Sequence, residues 1–195
     1  MSAERWLERL TGVGPLRMAV VYPNTYHVGM SNLGFHRVLQ IASIECGVRC
    51  ERAFAITAES VKRVAIAHPV RTLETNAPIS AFDVVAFSVP FEGDYPHVVR
   101  ALRDSNITLR TTMRNPREPL ILGGGAALSL NPEPVADFFD AIVIGEAESV
   151  LGAVLETIAM HKMGHERPAV WEALATAKRL YTIALIARGN IRSTD

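Results

Sequence analysis

Residues 22–34 read YPNTYHVGMSNLG and place Gly29 and Gly34 at the glycine spacing of a loop that cradles phosphate. That chemistry also needs Lys and then Ser or Thr after the second glycine, the first to reach the terminal phosphates and the second to hold magnesium. Phe35 and His36 stand at those positions, so nucleotide hydrolysis is not the expected activity. A dinucleotide fingerprint fails too: Gly12-x-Gly14 precedes the first strand-like run, and Gly123, Gly124 and Gly125 are contiguous rather than spaced G-x-G-x-x-G.

Thiolate and imidazole chemistry is thinly supplied. Cys46 and Cys50, in IECGVRC, match the first two positions of the C-x-x-x-C-x-x-C motif that holds an iron-sulfur cluster, but Ala53 occupies the third. Without a third thiolate the cluster cannot be held in that manner, and the pair is expected to be structural. His27 is the one imidazole in the 22–34 loop; as a ligand it would need a carboxylate partner to fix its tautomer, and a partly exposed loop histidine is the plainer reading. Glu146 and Glu148, in IGEAES, sit where a strand turns into a helix. There they favour the positive end of the helix dipole, and an exposed carboxylate is also able to bind a ligand hydroxyl or a partner domain. Glu133, Asp137 and Asp140 read as capping or surface residues.

These residues need a scaffold, and its outline is legible. Short β-branched runs alternate with helix-length segments, which predicts an α/β fold with a Rossmann-like, doubly wound parallel sheet of about five strands and helices on both faces. The expected strands are Arg17 to Tyr22, VRCERAFA, DVVAFSVP, Pro119 to Leu122 and AIVIG; Asn106 to Thr112 is either a short strand or the approach to the next one. The expected helices are Gly34 to Ala42, about Asp94 to Asp104, a short one from Asn131-Pro132 to Phe139, and EAESVLGAVLETIAMHK, with TAESVKRVAIAHP a helix or an irregular link. Trp6, Leu7 and Leu10 suggest an amphipathic helix within residues 1–14, and Pro168 to Arg179 a further one within a C-terminal segment 166–195. In an open parallel sheet ligands sit beyond the carboxyl ends of the strands. That rule selects the loops Pro23 to Gly34, Ser88 to Tyr95, Gly123 to Asn131 and Gly145 to Ser149.

Bulk properties narrow the class. A chain of 195 residues with 49% hydrophobic and 21% charged residues has the composition of a folded domain. Its formal net charge of +0 lacks the electrostatic footprint of a dedicated nucleic-acid binder, so nucleic acid is not an expected partner. The longest apolar runs fall well short of the roughly 20 residues that span a bilayer, and MSAERWLERLTGVG has no secretory apolar region, so a cytoplasmic protein without membrane contact is expected.

Three stretches together carry a resemblance: VVYPNTYHVGMSNLGFHRVLQ, TLETNAPISAFDVVAFSVPFEGDYPHVVRAL and PLILGGGAALSLNPEPVADFFDAIVIGEAES. They are similar to the N-terminal cobalamin-binding-type domain of a family of radical S-adenosylmethionine proteins, over roughly residues 15–160. The resemblance implies a Rossmann-like domain, here residues 15–165, preceding a radical enzyme barrel that holds a [4Fe-4S] cluster and S-adenosylmethionine. That barrel is the implied partner, in cis in a longer protein or in trans. Cluster and S-adenosylmethionine are expected only there, so the chain is not expected to be catalytic alone. The domain is implied to present cobalamin to that barrel or to shape the substrate entrance, with Asn24, His27, Gly29, Met30, Ser31, Asn32, Gly34, Ser88, Gly123, Gly124, Gly125, Gly145 and Glu146 as the cofactor-binding residues; no catalytic residue and no metal ligand is assigned. The D-x-H-x-x-G motif is absent, since Thr25 stands where Asp would be and Met30 where Gly would be, so cobalt is expected to lack a protein histidine ligand. Two rivals remain: a non-catalytic module whose GMSNLG and NPEP loops dock a protein or RNA, and a nucleotide-binding enzyme, because glycine-rich loops on a parallel sheet are generic.

Overall fold

The computed structural model describes residue 10 and residues 12–56, 68–162 and 183–184. The expected helix in residues 168–179, and most of the segments 1–14 and TAESVKRVAIAHP, lie outside these residues. Strands β1 (Arg17–Thr25), β2 (Arg49–Ile56), β3 (Val84–Ser88), β4 (Leu120–Gly124) and β5 (Ala141–Val143) form a parallel sheet in the order β2-β1-β3-β4-β5. A two-residue strand β6 (Ile183–Ala184) adds antiparallel to β5, within the tail whose sequence is ambiguous.

Strict alternation along each strand builds two cores. Met18, Val20, Tyr22, Ala86, Leu122 and Val143 face one side, where α2 (Leu33–Gln40) and α5 (Ala147–Lys162) cover them. Ala19, Val21, Val85, Phe87, Ile121 and Ile142 face the other, covered by α3 (Tyr95–Asp104) and α4 (Ala126–Leu130). Burial on both faces is why these strands read as unbroken apolar runs rather than as alternating ones. Each fully buried Leu, Ile or Phe contributes about 1.5–3 kcal/mol, so the two faces together hold the domain.

The chain departs from the sequence reading at its loops. β1 does not stop at Tyr22: it continues to Thr25 through a register shift against β2, and residues 26–30 close into the short helix α1 (Tyr26–Met30). Residues 107–119 approach β4 as a loop instead of pairing as a strand. Asn131 and Pro132 start a 3-10 segment, Glu133–Phe138, in place of an α-helix. Pro134 removes a second backbone donor there, and the Asn131 amide reaches Glu92 Oε1 at 3.1 Å instead of capping the turn.

Asp140 is the largest revision. It is wholly buried: its Oδ2 accepts from Arg114 Nη1 at 2.6 Å and from the Ile121 backbone N–H at 2.7 Å, while Oδ1 accepts from Thr111 Oγ1 at 2.7 Å. Arg114 also donates to the carbonyls of Thr108, Leu109 and Phe138. One buried ion pair therefore fastens the 107–114 loop to the start of β4 and β5.

Candidate functional site

The order β2-β1-β3-β4-β5 reverses direction between β1 and β3, which puts the topological switch point at their carboxyl ends. On the α2 and α5 side of this edge lies a cleft of about 240 Å³. Its floor is apolar, made by Val20, Ala86, Leu122 and Val143 from four adjacent strands. Gly34, Arg37 and Val38 form the α2 wall, and Ala147, Glu148 and Leu151 the α5 wall.

Small residues at the strand ends form the rim. The run Gly123-Gly124-Gly125 divides its labour, because successive positions of a strand face opposite ways. A Cβ at Gly123 would come within 2.7–2.8 Å of Leu128 and Phe139, so this glycine lets α4 and the strand below it pack closely. At Gly124 the nearest atoms to a Cβ belong to Val143 at 3.9 Å, leaving open space over the cleft. Gly125 has φ 112 and a Cβ there would meet the Val89 carbonyl oxygen at 2.6 Å, so only glycine makes this turn without strain.

Two polar groups on the rim have no hydrogen-bond partner among the described residues, the Ser88 hydroxyl and the exposed Glu146 carboxylate. Arg37 is differently placed. Its Nε donates to Glu148 Oε1 at 3.1 Å, tying α2 to α5 beside the cleft, and its Nη1 donates to Glu45 Oε1 at 2.6 Å and Gln40 Oε1 at 2.9 Å. The two carboxylates hold the guanidinium pKa above its ordinary value, Glu45 more strongly than Glu148.

The site residues expected from sequence fall into two groups. Gly34, Ser88, Gly123, Gly124, Gly125, Gly145 and Glu146 come together around the cleft. Asn24, His27, Gly29, Met30, Ser31 and Asn32 do not line it. Gly29 is buried, and a Cβ there would lie 2.4 Å from the Phe54 ring and 2.9 Å from the Tyr22 ring, so its smallness serves packing. Asn32 Oδ1 caps α2 through the Phe35 N–H at 2.9 Å, Ser31 Oγ donates to the His27 carbonyl, and Met30 Sδ accepts from Arg52 Nη1 at 3.5 Å. His27 is exposed on α1, its ring edge-on to Tyr26. Asn24 Nδ2 donates to Asp94 Oδ1 at 2.8 Å, a contact across the switch point. Sequence reasoning did not single out Arg37, Val38 or Leu151, whose positions on helix faces become part of the cleft only once α2 and α5 are set side by side.

A larger hollow of about 410 Å³ lies at the amino end of the sheet, beside Cys46 and Gly47. Burial raises the Cys46 thiol pKa, with Glu45 and Glu156 adding to it, and burial pushes the Cys50 thiol up to about 12. Both stay protonated at neutral pH and make poor metal ligands or nucleophiles. Among the described residues no group of three or more His, Cys, Asp or Glu side chains is placed to hold a metal ion. No described helix is long and apolar enough to cross a membrane.

Comparison with known proteins decides the family. The family model described as radical SAM proteins, N-terminal, matches residues 34–182, most of the chain. The chain belongs to this family. A curated relative, the uncharacterized protein MJ0966 of Methanocaldococcus jannaschii, is 26% identical over 131 residues, 67% of this chain. The chain spans only 24% of that relative's length. No solved structure matches the chain. The radical SAM N-terminal domain is thus an α/β accessory domain of a radical SAM protein, and the cleft on its carboxyl edge is built largely within the matched residues.

Proposed function

We propose that this radical SAM N-terminal domain seats cobalamin at its carboxyl-edge cleft and presents it to the catalytic barrel of a radical S-adenosylmethionine enzyme, joined in cis or supplied in trans. The observation that carries the reading is the cleft itself, an apolar slot over four strand ends with a glycine rim. Its volume of about 240 Å³ decides how a corrin would fit. Sites that enclose a drug-sized ligand occupy roughly 300–1,000 Å³, so a broad macrocycle does not enter this slot. A flat aromatic group does. The α2 and α5 walls would hold the detached nucleotide tail, and Gly124, Gly125 and Gly145 on the rim would leave room for the ring.

Cobalamin, when bound, supplies methyl-transfer or cobalt redox chemistry. The domain's own residues bind and orient. Val20, Ala86, Leu122 and Val143 would exclude water from the tail. Ser88 and Glu146 would accept hydrogen bonds from the ring's amide arms, and Ser88 would also donate. His27 lies outside the cleft. Leu33, Phe91 and Leu130, which are 84%, 59% and 85% exposed at the same sheet edge, offer apolar area for the barrel to cover.

Titrating the chain with hydroxocobalamin and following the visible spectrum tests the reading. A saturable change with retention of colour on a desalting column is expected, and His27→Ala should reproduce the wild-type spectrum. No change and no retention at millimolar protein would favour the alternative, a non-catalytic module that docks a protein or RNA.

A further inference from the structure

The charges on the cleft walls say what kind of group the cleft takes. Among the described residues that line it, one is cationic, Arg37, and two are acidic, Glu146 and Glu148. A guanidinium is the side chain that would grip a phosphate, and this one is already engaged. Its Nε donates to Glu148 Oε1 at 3.1 Å, and its Nη1 donates to Glu45 Oε1 at 2.6 Å and to Gln40 Oε1 at 2.9 Å. Two carboxylates therefore answer one positive charge, and Glu146 adds a third carboxylate at the rim.

The other natural seat for a phosphate is taken in the same way. In an α/β sheet an anion binds at the N-terminus of the helix that follows a strand, where free backbone N–H groups and the dipole attract it. Beside this cleft that helix is α5, and Glu148 stands in its first turn. The dipole amounts to roughly half a positive charge, less than the charge of the carboxylate already there. Gly145 has φ 94 and nothing within 4 Å of where a Cβ would lie, so bulk does not close the approach. Charge closes it. Glu148 holds both the place and the partner, Arg37, that a nucleotide phosphate would take.

The rest of the lining asks for a different chemistry. Carboxylates only accept hydrogen bonds, so a ligand that satisfies Glu146 and Glu148 brings hydroxyl or amine donors. The floor of Val20, Ala86, Leu122 and Val143 suits the flat face of an aromatic ring. We infer that the cleft is a nucleoside site that turns away free nucleotides. It takes a base and its sugar hydroxyls, while Glu146 and Glu148 repel polyphosphates such as that of ATP. The single phosphodiester of a cobalamin tail would remain at the solvent edge, where salt screens most of the repulsion. The inference rests on the cleft being the ligand seat of the cobalamin reading, and names the class of group which that seat selects.

Equilibrium dialysis of the chain against adenosine and against ATP, without divalent cations, tests it. Two unit charges about 4 Å apart in water repel enough to change an affinity roughly fivefold, and a triphosphate brings several. The wild type is therefore expected to bind adenosine about tenfold more tightly than ATP at low salt. The preference should narrow at about 1 M salt, where the screening length is about 3 Å. In a Glu146→Gln, Glu148→Gln double variant it should shrink to about threefold or less. The ratio is the readout, because a variant that merely loosens the cleft weakens both ligands together. Wild-type binding of ATP as tight as that of adenosine, a preference that neither salt nor the double variant reduces, or no binding of adenosine would each overturn the inference. Hydroxocobalamin titration of the same protein separates the two readings. Cobalamin binding without a preference for adenosine leaves the cobalamin reading standing and sinks this one, and a preference for adenosine without cobalamin binding does the reverse.

Discussion

Replacing each residue of Gly123-Gly124-Gly125 by Ala separates the proposed binding role of this run from its packing role. At Gly123 the added carbon meets Leu128 and Phe139 at 2.7–2.8 Å, a crowding that side chains relieve only by leaving their preferred rotamers. Overpacking of this kind costs about 1–3 kcal/mol. At Gly125 the carbon meets the Val89 backbone at 2.6–2.9 Å, which cannot rotate away, and φ is 112. Backbone strain alone is worth about 1–3 kcal/mol there, so the total exceeds that at Gly123. Gly124→Ala meets nothing closer than 3.9 Å. Losing glycine's excess freedom in a strand gains roughly 0.5–1 kcal/mol, so this variant is neutral to stabilising. With a urea slope of about 2 kcal/mol/M, the midpoints shift by up to about +0.5 M for Gly124→Ala, by about −1 M for Gly123→Ala, and further for Gly125→Ala. A loss for Gly124→Ala equal to that for Gly123→Ala would refute the reasoning, because it would mean that the space over Gly124 is filled.

Asp140→Ala should cost about 3–5 kcal/mol, since it leaves Arg114 buried without its counter-charge, while an Arg114→Met, Asp140→Leu double variant should recover most of the loss; chemical unfolding of the three proteins checks both. Cys50 gives a pH prediction. Its thiol is raised from an ordinary 9.0 to about 12, so the folded state keeps a proton that the unfolded state releases. Stability is therefore full below pH 9 and falls as pH rises toward 12, by on the order of 1 kcal/mol at pH 10, and a Cys50→Ala variant should lack this part of the slope between urea midpoints measured at pH 8 and pH 10. Arg37→Gln should loosen the tie between α2 and α5 with little effect on global stability, as the loss of exposed ion pairs does, and protease sensitivity near residue 147 reports the loosening against an essentially unchanged urea midpoint.

The sheet was legible because its evidence is local. Runs such as MAVVY, DVVAF and LILG announce buried parallel strands, and the long amphipathic segment from Ala147 announces its helix. The strand ends were harder: Pro23-Asn24-Thr25 has turn composition, yet pairing with β2 carries the strand through it. Glycine content marked the rim of the cleft but not its geometry, since which of three neighbouring glycines faces the cleft depends on strand alternation and on Phe139, 16 residues away from Gly123. Asp140 reads as a surface acid because its partner, Arg114, lies 26 residues earlier in the chain. Arg37 and Glu148, separated by 111 residues, meet only after α2 and α5 pack on the same face. The missing information is of one kind, namely side chains brought together by tertiary packing.

Gly124→Leu gives the most direct test of the cleft as a cofactor seat, because the structure has room for the new side chain only by filling that cleft. Wild-type protein and the variant are each mixed with hydroxocobalamin, desalted, and their bound cobalamin measured from the visible spectrum. The account predicts near-stoichiometric retention by the wild type and none by a Gly124→Leu protein whose unfolding midpoint is unchanged. Equal retention by the two proteins, or none by the wild type, would contradict it.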